Sequence, residues 1–176
     1  MAAFPLRRKL ELAVKYLAVV FGLVLCYVFL DSLIDFRPAG IHDSYQFKLP
    51  RLIADKPVFL RQDNLVVVVL RRSGEVITGL QRDVENLQDP ESKKSKQPRY
   101  ATNRLRSRYP EYFVSYAFGT DLGCKLEEVV GEFKEICGSA RYDFAGRALT
   151  AENKFSNLVI PDYNFTNDFN TLTIKP

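Results

Sequence analysis

The sequence predicts one membrane-spanning helix followed by a head built mainly from β-strands. Two observations lead to this prediction. An unbroken apolar and aromatic run covers residues 16–30, and with its flanks it is long enough to cross a bilayer as a helix. Later in the chain, short runs rich in valine, isoleucine, phenylalanine and tyrosine alternate with polar segments, which is typical of antiparallel strands and turns. The 176 residues suit one domain with such an anchor.

The anchor is expected at residues 10–34, about 25 residues in length, after a cytoplasmic segment of residues 1–9. Basic residues 7–9 precede the helix, whereas Asp31 and Asp35 lie at its other end. This asymmetry places the N-terminus in the cytoplasm or matrix and the head in the periplasm or intermembrane space. A cleaved signal peptide is the alternative, but no small-residue cleavage site closely follows the apolar run.

The head, residues 48–176, is expected to begin with a β-hairpin after a polar linker at residues 35–47. Two β-rich runs, residues 56–61 and 65–72, are joined by Gln62-Asp63-Asn64, and an Asp-Asn pair favours a turn. The second run is apolar without alternation. Its strand is therefore expected to be covered on both faces.

A short helix and a basic segment follow the hairpin. Residues 73–87 have apolar side chains at helical spacing, with Ser73 as the expected N-cap. Residues 93–108, called the basic loop below, are polar and strongly positive. The basic loop is either a solvated segment or a docking surface for anionic lipid headgroups or an acidic partner. Its candidate docking residues are Lys93, Lys94, Lys96, Arg99, Arg104, Arg106 and Arg108.

Three further strands are expected in the second half of the head. They cover residues 111–117, 158–163 and 169–174, which are rich in aromatic and β-branched side chains. Residues 125–133 are interpreted as a connection. The head is therefore predicted to be an all-β domain of antiparallel sheets with one small helical insertion.

An ordered set of motifs lies among these strands. Residues 119–124 read Gly-Thr-Asp-Leu-Gly-Cys and residues 135–139 read Glu-Ile-Cys-Gly-Ser; a Gly-Arg pair at 146–147 and the segment Pro161-Asp162-Tyr163 follow. This order resembles the Rieske iron–sulfur proteins of the cytochrome bc type, the ubiquinol–cytochrome c reductase iron–sulfur subunits. That family carries Cys-Thr-His-Leu-Gly-Cys, then Cys-Pro-Cys-His-Gly-Ser, a Gly-Arg turn and a strand ending in Pro and Tyr. The resemblance implies a Rieske-like head with a degenerate cluster subdomain at residues 117–149.

The resemblance also implies where cluster ligands would lie in the first box (residues 119–124) and the second box (residues 135–139). The first cysteine and histidine fall on Gly119 and Asp121. If one residue is deleted before Gly138, Glu135 takes the place of the second cysteine and the second histidine has no counterpart. A Rieske centre needs two thiolates on one iron and two imidazoles on the other. The sequence contains one histidine, His42, so no cluster and no other cofactor is expected.

The three cysteines are expected to have structural roles. Cys26 lies within the membrane run and is interpreted as a small apolar packing residue. The resemblance implies that Cys124 and Cys137 match two non-ligand cysteines that form a disulfide in the family. An outward-facing head lies in an oxidising compartment, where a disulfide persists. Closing a loop of roughly 13 residues contributes ~3 kcal/mol in the chain-entropy view.

These observations predict a non-catalytic, membrane-anchored subunit of a multi-subunit membrane complex, with a respiratory or related electron-transfer complex favoured. The expected partners are integral membrane subunits, cytochrome-type ones foremost, and membrane lipid. A net charge of +4 does not suggest a nucleic-acid partner. No phosphate-binding glycine loop or other catalytic motif is present in the sequence.

Two alternatives are kept open. One is an accessory interaction module of an envelope assembly, such as secretion or pilus machinery, with the basic loop as its contact. The other is a redox protein based on the thiols of Cys124 and Cys137 or on a metal, although no C-x-x-C motif supports thiol chemistry. The acidic residues near the boxes that could suggest a metal do not follow a calcium-loop pattern. These residues are Asp121, Glu127, Glu128, Glu132 and Glu135.

Overall fold

The structure of the protein, a computed structural model, describes residues 6–34, 44–83, 85–149 and 155–175. The chain divides into two units, Met1–His42 and Asp43–Pro176. Most of the predicted linker, residues 35–43, lies outside the described residues, and so does His42.

Helix α1 (Leu6–Ile34) forms most of the described part of the first unit. It contains a segment, Arg8–Asp31, that is long and apolar enough to cross a membrane. Every described side chain of this segment is exposed within the chain, as expected for a helix whose apolar surface faces lipid. The predicted helix is confirmed. It begins at Leu6, four residues before the predicted start at residue 10, because residues 6–9 include good helix formers such as leucine, arginine and lysine.

The described part of the second unit, the head, contains nine strands, one α-helix and one 3-10 turn. In chain order they are β1 (Tyr45–Lys48), β2 (Val58–Gln62), β3 (Leu65–Arg71), α2 (Gly74–Arg82), the 3-10 turn Arg99–Ala101, β4 (Tyr112–Tyr116), β5 (Leu126–Val129), β6 (Glu132–Glu135), β7 (Arg141–Tyr142), β8 (Asp162–Phe165) and β9 (Thr171–Lys175).

The strands form three sheets of three strands each, with orders β1-β9-β8, β2-β3-β4 and β5-β6-β7. All pairs are antiparallel. The predicted mostly β head with one small helix is therefore confirmed.

The sheet β2-β3-β4 lies between the other two. Neighbouring side chains on β4 point to opposite faces of this sheet, and each face contacts one of the other sheets. The Tyr112 ring contacts Phe165 on β8, with ring centroids 5.2 Å apart. The next residue, Phe113, stacks with Phe133 on β6 at 6.0 Å. Four consecutive residues of β3, Val67, Val68, Val69 and Leu70, are fully buried, so the prediction that this strand is covered on both faces is confirmed.

The predicted local signals at the start of the head are also present. Asp63 and Asn64 form the two-residue loop between β2 and β3, where Gln62 pairs with Leu65. Asp63 has a φ of 51°, which aspartate tolerates better than most residues. The Ser73 side chain accepts a hydrogen bond from the Val76 N–H and caps α2. The helix ends at Arg82 rather than Leu87 because Asp83 is extended.

Three further differences from prediction concern the strands. Strand β1 begins at Tyr45, so the end of the predicted linker belongs to the head; β1 pairs with β9, a distant contact that no local pattern indicates. The predicted connection at residues 125–133 is largely strand, because β5 and β6 form a hairpin. The predicted strand at residues 158–163 begins only at Asp162. Before it, the N–H groups of Leu158 and Ile160 donate to the carbonyls of Gly146 and Lys96 instead of to a neighbouring strand, and Pro161 has no N–H.

Candidate functional site

The two boxes lie side by side at one end of the sheet β5-β6-β7. The first box precedes β5, and the second begins at the end of β6, so the β5–β6 hairpin brings their chains together. The structure joins Cys124 to Cys137 by a disulfide, with the two Cα atoms 6.0 Å apart. The predicted disulfide is therefore present between the boxes.

The carboxylate of Glu135 is the centre of this arrangement. Its residue is fully buried, and its two oxygens accept hydrogen bonds from three backbone N–H groups of the first box. The donors are Asp121 at 3.2 Å, Leu122 at 2.9 Å and Cys124 at 2.7 Å. Converging backbone N–H groups form a concave anion site. The protein fills that site with its own side chain.

Gly119 borders the same space. A Cβ atom added at this glycine would lie 2.1 Å from Oε2 of Glu135, far inside contact distance. The Gly119 N–H donates to the Cys124 carbonyl at 2.8 Å, which fixes the backbone of the box. Glycine at 119 and glutamate at 135 are therefore a matched pair, because no larger residue fits at 119 while the carboxylate keeps its place.

Asp121 and Gly138 complete the site. The Asp121 carboxylate accepts a hydrogen bond from the Ser139 N–H at 3.2 Å. A Cβ atom at Gly138 would lie 2.9 Å from Asp121 Oδ2 and 3.3 Å from Glu135 Cδ. The structure thus brings the predicted Gly119, Asp121 and Glu135 together with Gly138, a position that the sequence reasoning missed.

The placement of Gly138 favours an alignment of the second box without a deletion. Counting directly from Glu135 as the first cysteine puts Cys137 on the second cysteine and Gly138 on the histidine. The predicted deletion kept Gly138 and Ser139 in register with the family's Gly-Ser. This alignment without a deletion could have been found from the sequence. It identifies four positions, 119, 121, 135 and 138, that lie close together in the structure.

These residues do not fit a Rieske cluster. The four facing positions carry glycine, aspartate, glutamate and glycine, whereas the cluster requires two thiolates and two imidazoles. In addition, the Glu135 carboxylate occupies the space between the boxes and is held by three donors. Restoring one ligand alone would still leave the site without the four ligands that the cluster requires.

Among the described residues of this region, one group has the composition of a metal site. Ligand atoms of Cys124, Glu135 and Cys137 lie within 4.8 Å of one another. Both sulfurs belong to the disulfide, and the thiolate, not the disulfide, is the metal ligand. Of the other acidic candidates, Glu127 and Glu128 are exposed on β5, and Glu132 pairs with Arg141 at 2.8 Å. The disulfide-bonded form therefore offers little to a metal ion.

The side chain of Tyr142 on β7 contacts the first box through hydrogen bonds with Thr120. Its buried hydroxyl oxygen accepts the Thr120 N–H at 2.7 Å and lies 3.0 Å from the Thr120 hydroxyl. Burial raises the pKa of Tyr142 above its ordinary value, although the hydrogen bonds with Thr120 oppose this shift. The Thr120 hydroxyl also donates to the Ser156 carbonyl. The backbone of the box is thus held from several sides.

The prediction that Arg106 belongs to an exposed docking surface is wrong. Arg106 is fully buried, and its guanidinium donates to the carbonyls of Gly146 at 2.9 Å and Leu158 at 2.7 Å. Burial lowers the pKa of Arg106 to about 10. Sequence reasoning grouped Arg106 with its charged neighbours because nothing in the local pattern shows that the chain turns inward there.

The other six candidates of the basic loop are exposed, but two of them are engaged. Arg104 pairs with Glu91 at 2.7 Å. Arg108 lies 3.8 Å from Asp162, with its guanidinium 4.0 Å from the centre of the Tyr100 ring. Within the described residues, the remaining four cations have no ion-pair partner. They are Lys93, Lys94, Lys96 and Arg99.

A buried carboxylate shapes the start of the basic loop. Asp89 accepts hydrogen bonds from the N–H groups of Lys93 at 2.8 Å, Lys94 at 2.9 Å and Ser95 at 3.1 Å, and from the Ser95 hydroxyl at 2.6 Å. Burial opposes ionisation, but the hydrogen bonds from Ser95, Lys94 and Lys93 outweigh it and hold the pKa of Asp89 below its ordinary value. The lysine-bearing segment is therefore an ordered turn.

Comparison with known proteins agrees with the motifs. No model of a known protein family matches the chain. The ubiquinol–cytochrome c reductase iron–sulfur subunit of Allochromatium vinosum is 33% identical over 114 residues, which is 58% of this chain and 55% of that protein. The mitochondrial cytochrome b-c1 complex subunit Rieske of Candida albicans is 29% identical over 116 residues, 64% of this chain and 46% of that protein.

The chain thus spans about half the length of the curated relatives that it matches. A chain of a hyperthermophilic respiratory Complex III overlaps 92% of this chain and 98% of its own length, with 14% identity and a TM-score of 0.45. The two sequence matches confirm the resemblance to Rieske subunits of cytochrome bc complexes.

Proposed function

We propose that this Rieske-like chain is a non-catalytic, membrane-anchored subunit of a multi-subunit electron-transfer complex, and that it works without an iron–sulfur cluster. Its relatives are named as subunits of cytochrome bc complexes. Its candidate membrane span would hold it among integral membrane subunits, with cytochrome-type partners favoured. Its head would support or dock a partner on the outer face of the membrane, in the periplasm or intermembrane space.

The observation behind the cluster-free role is the buried Glu135 carboxylate. Three backbone N–H groups of the first box bind it, and Gly119 provides the room it needs. A buried carboxylate with charge-assisted hydrogen bonds stabilises the fold around it. The box is therefore built around a side chain of the protein, and its frame persists for a structural purpose.

Contact with lipid or an acidic partner is assigned to the four cations of the basic loop that have no ion-pair partner among the described residues. Lys93 and Lys94 lie on the turn organised by Asp89, and Lys96 directly follows it. The positive charge of the two lysines on the turn is therefore presented from an ordered backbone. Attraction between these charges and an anionic surface would orient the head, whereas the helix would supply the anchoring.

The test is purification of the chain from its native membrane in mild detergent, followed by identification of the proteins that accompany it. The proposal expects cytochrome subunits in stoichiometric amounts. It also expects recovery to survive neutralisation of the four cations to glutamine and to be lost when the helix is replaced by an unrelated membrane span. The opposite pattern, with the cations essential and the helix replaceable, would favour the accessory interaction module of an envelope assembly.

An optical and paramagnetic scan of the same isolated chain tests the cluster-free role. The expected spectrum has no iron–sulfur signal. A stoichiometric signal would overturn the argument from Glu135. Measuring the reduction potential of the Cys124–Cys137 disulfide tests the thiol-based alternative: a value below about −300 mV is that of a structural disulfide, and a value in the range of exchange catalysts would support redox activity.

A further inference from the structure

The disulfide between the boxes lies beside the buried carboxylate of Glu135. Ligand atoms of Cys124, Glu135 and Cys137 all lie within 4.8 Å of one another. Thiolates and carboxylates are both ligands of Zn²⁺ in proteins, and only the bond between the sulfurs withholds them from a metal ion. Opening the disulfide would therefore place two thiolates next to a carboxylate that is already in position.

The Glu135 carboxylate has the capacity for one further partner. A carboxylate has about four acceptor sites on its two oxygens. Among the described residues, Oε1 accepts the N–H groups of Leu122 and Cys124, whereas Oε2 accepts that of Asp121 alone. Carboxylates that bind metal ions are themselves commonly oriented by such hydrogen bonds. The three backbone donors thus orient the carboxylate and leave it able to bind a cation.

Contacts other than the disulfide hold the backbone on both sides of the site. The Ile136 N–H donates to the Lys125 carbonyl at 3.0 Å, and the Gly119 N–H donates to the Cys124 carbonyl at 2.8 Å. The chain next to each cysteine therefore stays in place when the sulfurs separate. The Cα atoms of Cys124 and Cys137 are 6.0 Å apart, which suits two sulfurs about 3.8 Å apart on a tetrahedral Zn²⁺ with Zn–S distances of about 2.3 Å.

We propose that the reduced form of the chain binds one Zn²⁺ ion through Cys124, Cys137 and Glu135, and that the disulfide is the oxidised, metal-free form of the same site. Because Cys137 is exposed, water fills the fourth position of the tetrahedral ion. This inference goes beyond the function proposed above and does not rest on it.

The reductant of this step is an external dithiol. Its thiolate attacks the exposed sulfur of Cys137, the S–S bond breaks, and Cys124 leaves as a thiolate that takes up a proton. The second sulfur of the dithiol then displaces Cys137, which also takes up a proton. Two electrons and two protons pass to the protein, and the dithiol becomes a disulfide. When Zn²⁺ binds, it replaces the two thiol protons, which go to solvent.

Zinc should favour the reduced form. Two thiolates beside a buried carboxylate repel one another, and a divalent cation removes this repulsion. Because the ion binds only the reduced form, a free Zn²⁺ concentration of about 100 times Kd shifts the equilibrium toward the dithiol by about 100-fold. This fold-change corresponds to a rise of about 60 mV in the reduction potential.

A zinc titration of the full chain in detergent tests the site. Cys26 is replaced by serine in every sample, so that the free thiol of the helix does not contribute. Competition with a chromophoric chelator should show one Zn²⁺ per reduced chain, with a Kd of about 1 μM or lower, and binding at least about 100-fold weaker to the oxidised chain. With Co²⁺ in place of Zn²⁺, only the reduced chain should show a thiolate charge-transfer band.

Two variants test the ligands. Cys137→Ser should weaken Zn²⁺ binding by at least about 100-fold relative to the reduced wild type; both proteins lack the disulfide, so the comparison isolates one thiol. Glu135→Gln should weaken binding by at least about tenfold, whereas Glu128→Gln, the same change at an exposed position on β5, should leave it unchanged.

The reduction potential of the wild type at several free Zn²⁺ concentrations is the measurement that needs no variant, and it decides the matter even if Glu135→Gln does not fold. The proposal is overturned by a potential that is independent of Zn²⁺, or by a reduced chain that binds no more Zn²⁺ than the oxidised chain. Folded Cys137→Ser or Glu135→Gln proteins that bind Zn²⁺ as tightly as the reduced wild type would also overturn it.

Discussion

At the scale of single residues, the buried carboxylate of Glu135 organises the site. A buried carboxylate is stable only when its oxygens are satisfied, and here backbone donors satisfy them. The resemblance predicted Glu135 as a former ligand position. It did not predict that the carboxylate would turn into the first box, because which backbone groups surround a side chain depends on the tertiary fold.

Replacing Glu135 by glutamine should destabilise the head. The amide keeps the shape of the side chain, but its NH2 group would face an N–H donor and the charge would be lost. Hydrogen bonds to charged groups contribute about 1.5–3 kcal/mol each, so we expect the free energy of unfolding to fall by about 3 kcal/mol in denaturant titrations. Glu128→Gln is the matched control and should change it by less than about 0.5 kcal/mol because Glu128 is exposed. Equal effects of the two substitutions would contradict the role assigned to Glu135.

The pairing of Gly119 with Glu135 leads to a second prediction. Gly119→Ala should lower the free energy of unfolding by about 1–3 kcal/mol because its Cβ would overlap the carboxylate. In a Glu135→Ala background the same substitution should cost almost nothing. A double-mutant cycle measured by chemical unfolding should give a coupling energy of about 0.5–3 kcal/mol. Additive effects would show that the two residues are independent.

At the scale of elements, the turn organised by Asp89 links charge to backbone order. The carboxylate is held ionised by donors from Ser95, Lys94 and Lys93. A carboxyl whose pKa is lower in the folded than in the unfolded state stabilises the fold at pH values above its unfolded pKa, near 3.9 for aspartate, and loses this effect as the pH falls through the folded value.

Asp89→Asn should therefore destabilise the head at neutral pH, by about 1–3 kcal/mol. The difference from the wild type should shrink as the pH is lowered below about 4. Thermal unfolding of both proteins from pH 7 to pH 3 measures this. Glu128→Gln is the control: it removes an exposed carboxylate on β5 and should change the free energy of unfolding by less than about 0.5 kcal/mol at each pH. A difference for Asp89→Asn that stays constant with pH would argue against ionisation as the cause.

The elements also show what local sequence patterns can predict. The hairpin turn at Asp63 and the Ser73 cap were predictable because each depends on a few neighbouring residues. Strand β1 was missed because its pairing with β9 joins the two ends of the head. The disulfide was predicted from the resemblance, whereas Gly138 was missed because a deletion was placed before it.

At the scale of the whole molecule, buried arginines connect segments that are distant in sequence. Arg72 donates to the Leu105 carbonyl at 2.9 Å and to the Ser107 hydroxyl at 2.6 Å. Arg106 reaches Gly146 and Leu158. Burial lowers the pKa of Arg72 to about 10, although the nearby Tyr163 and Asp143 raise it. Arg106 was predicted to lie on the surface because it belongs to the charged basic loop, and only the tertiary structure supplies its carbonyl acceptors.

Arg106→Gln should accordingly destabilise the entire head. Glutamine cannot reach both carbonyls, so buried acceptors lose their donors, and we expect a loss of about 3 kcal/mol or more in the free energy of unfolding. Arg99→Gln removes the same charge from an exposed position of the basic loop and should have an effect below about 0.5 kcal/mol. If both variants unfold at the same denaturant concentration, Arg106 is not the connection described here.

The fit between Gly119 and Glu135 also bears on how such a site changes by single substitutions. A cysteine introduced first at 119 would collide with the carboxylate. A cysteine introduced first at 135 would leave three backbone donors without their acceptor. Each single step toward a thiolate pair is therefore destabilising, and imidazoles at 121 and 138 would still be missing. The present composition of the site is therefore reinforced by its own packing, because glycine at 119 and glutamate at 135 each make substitution of the other costly.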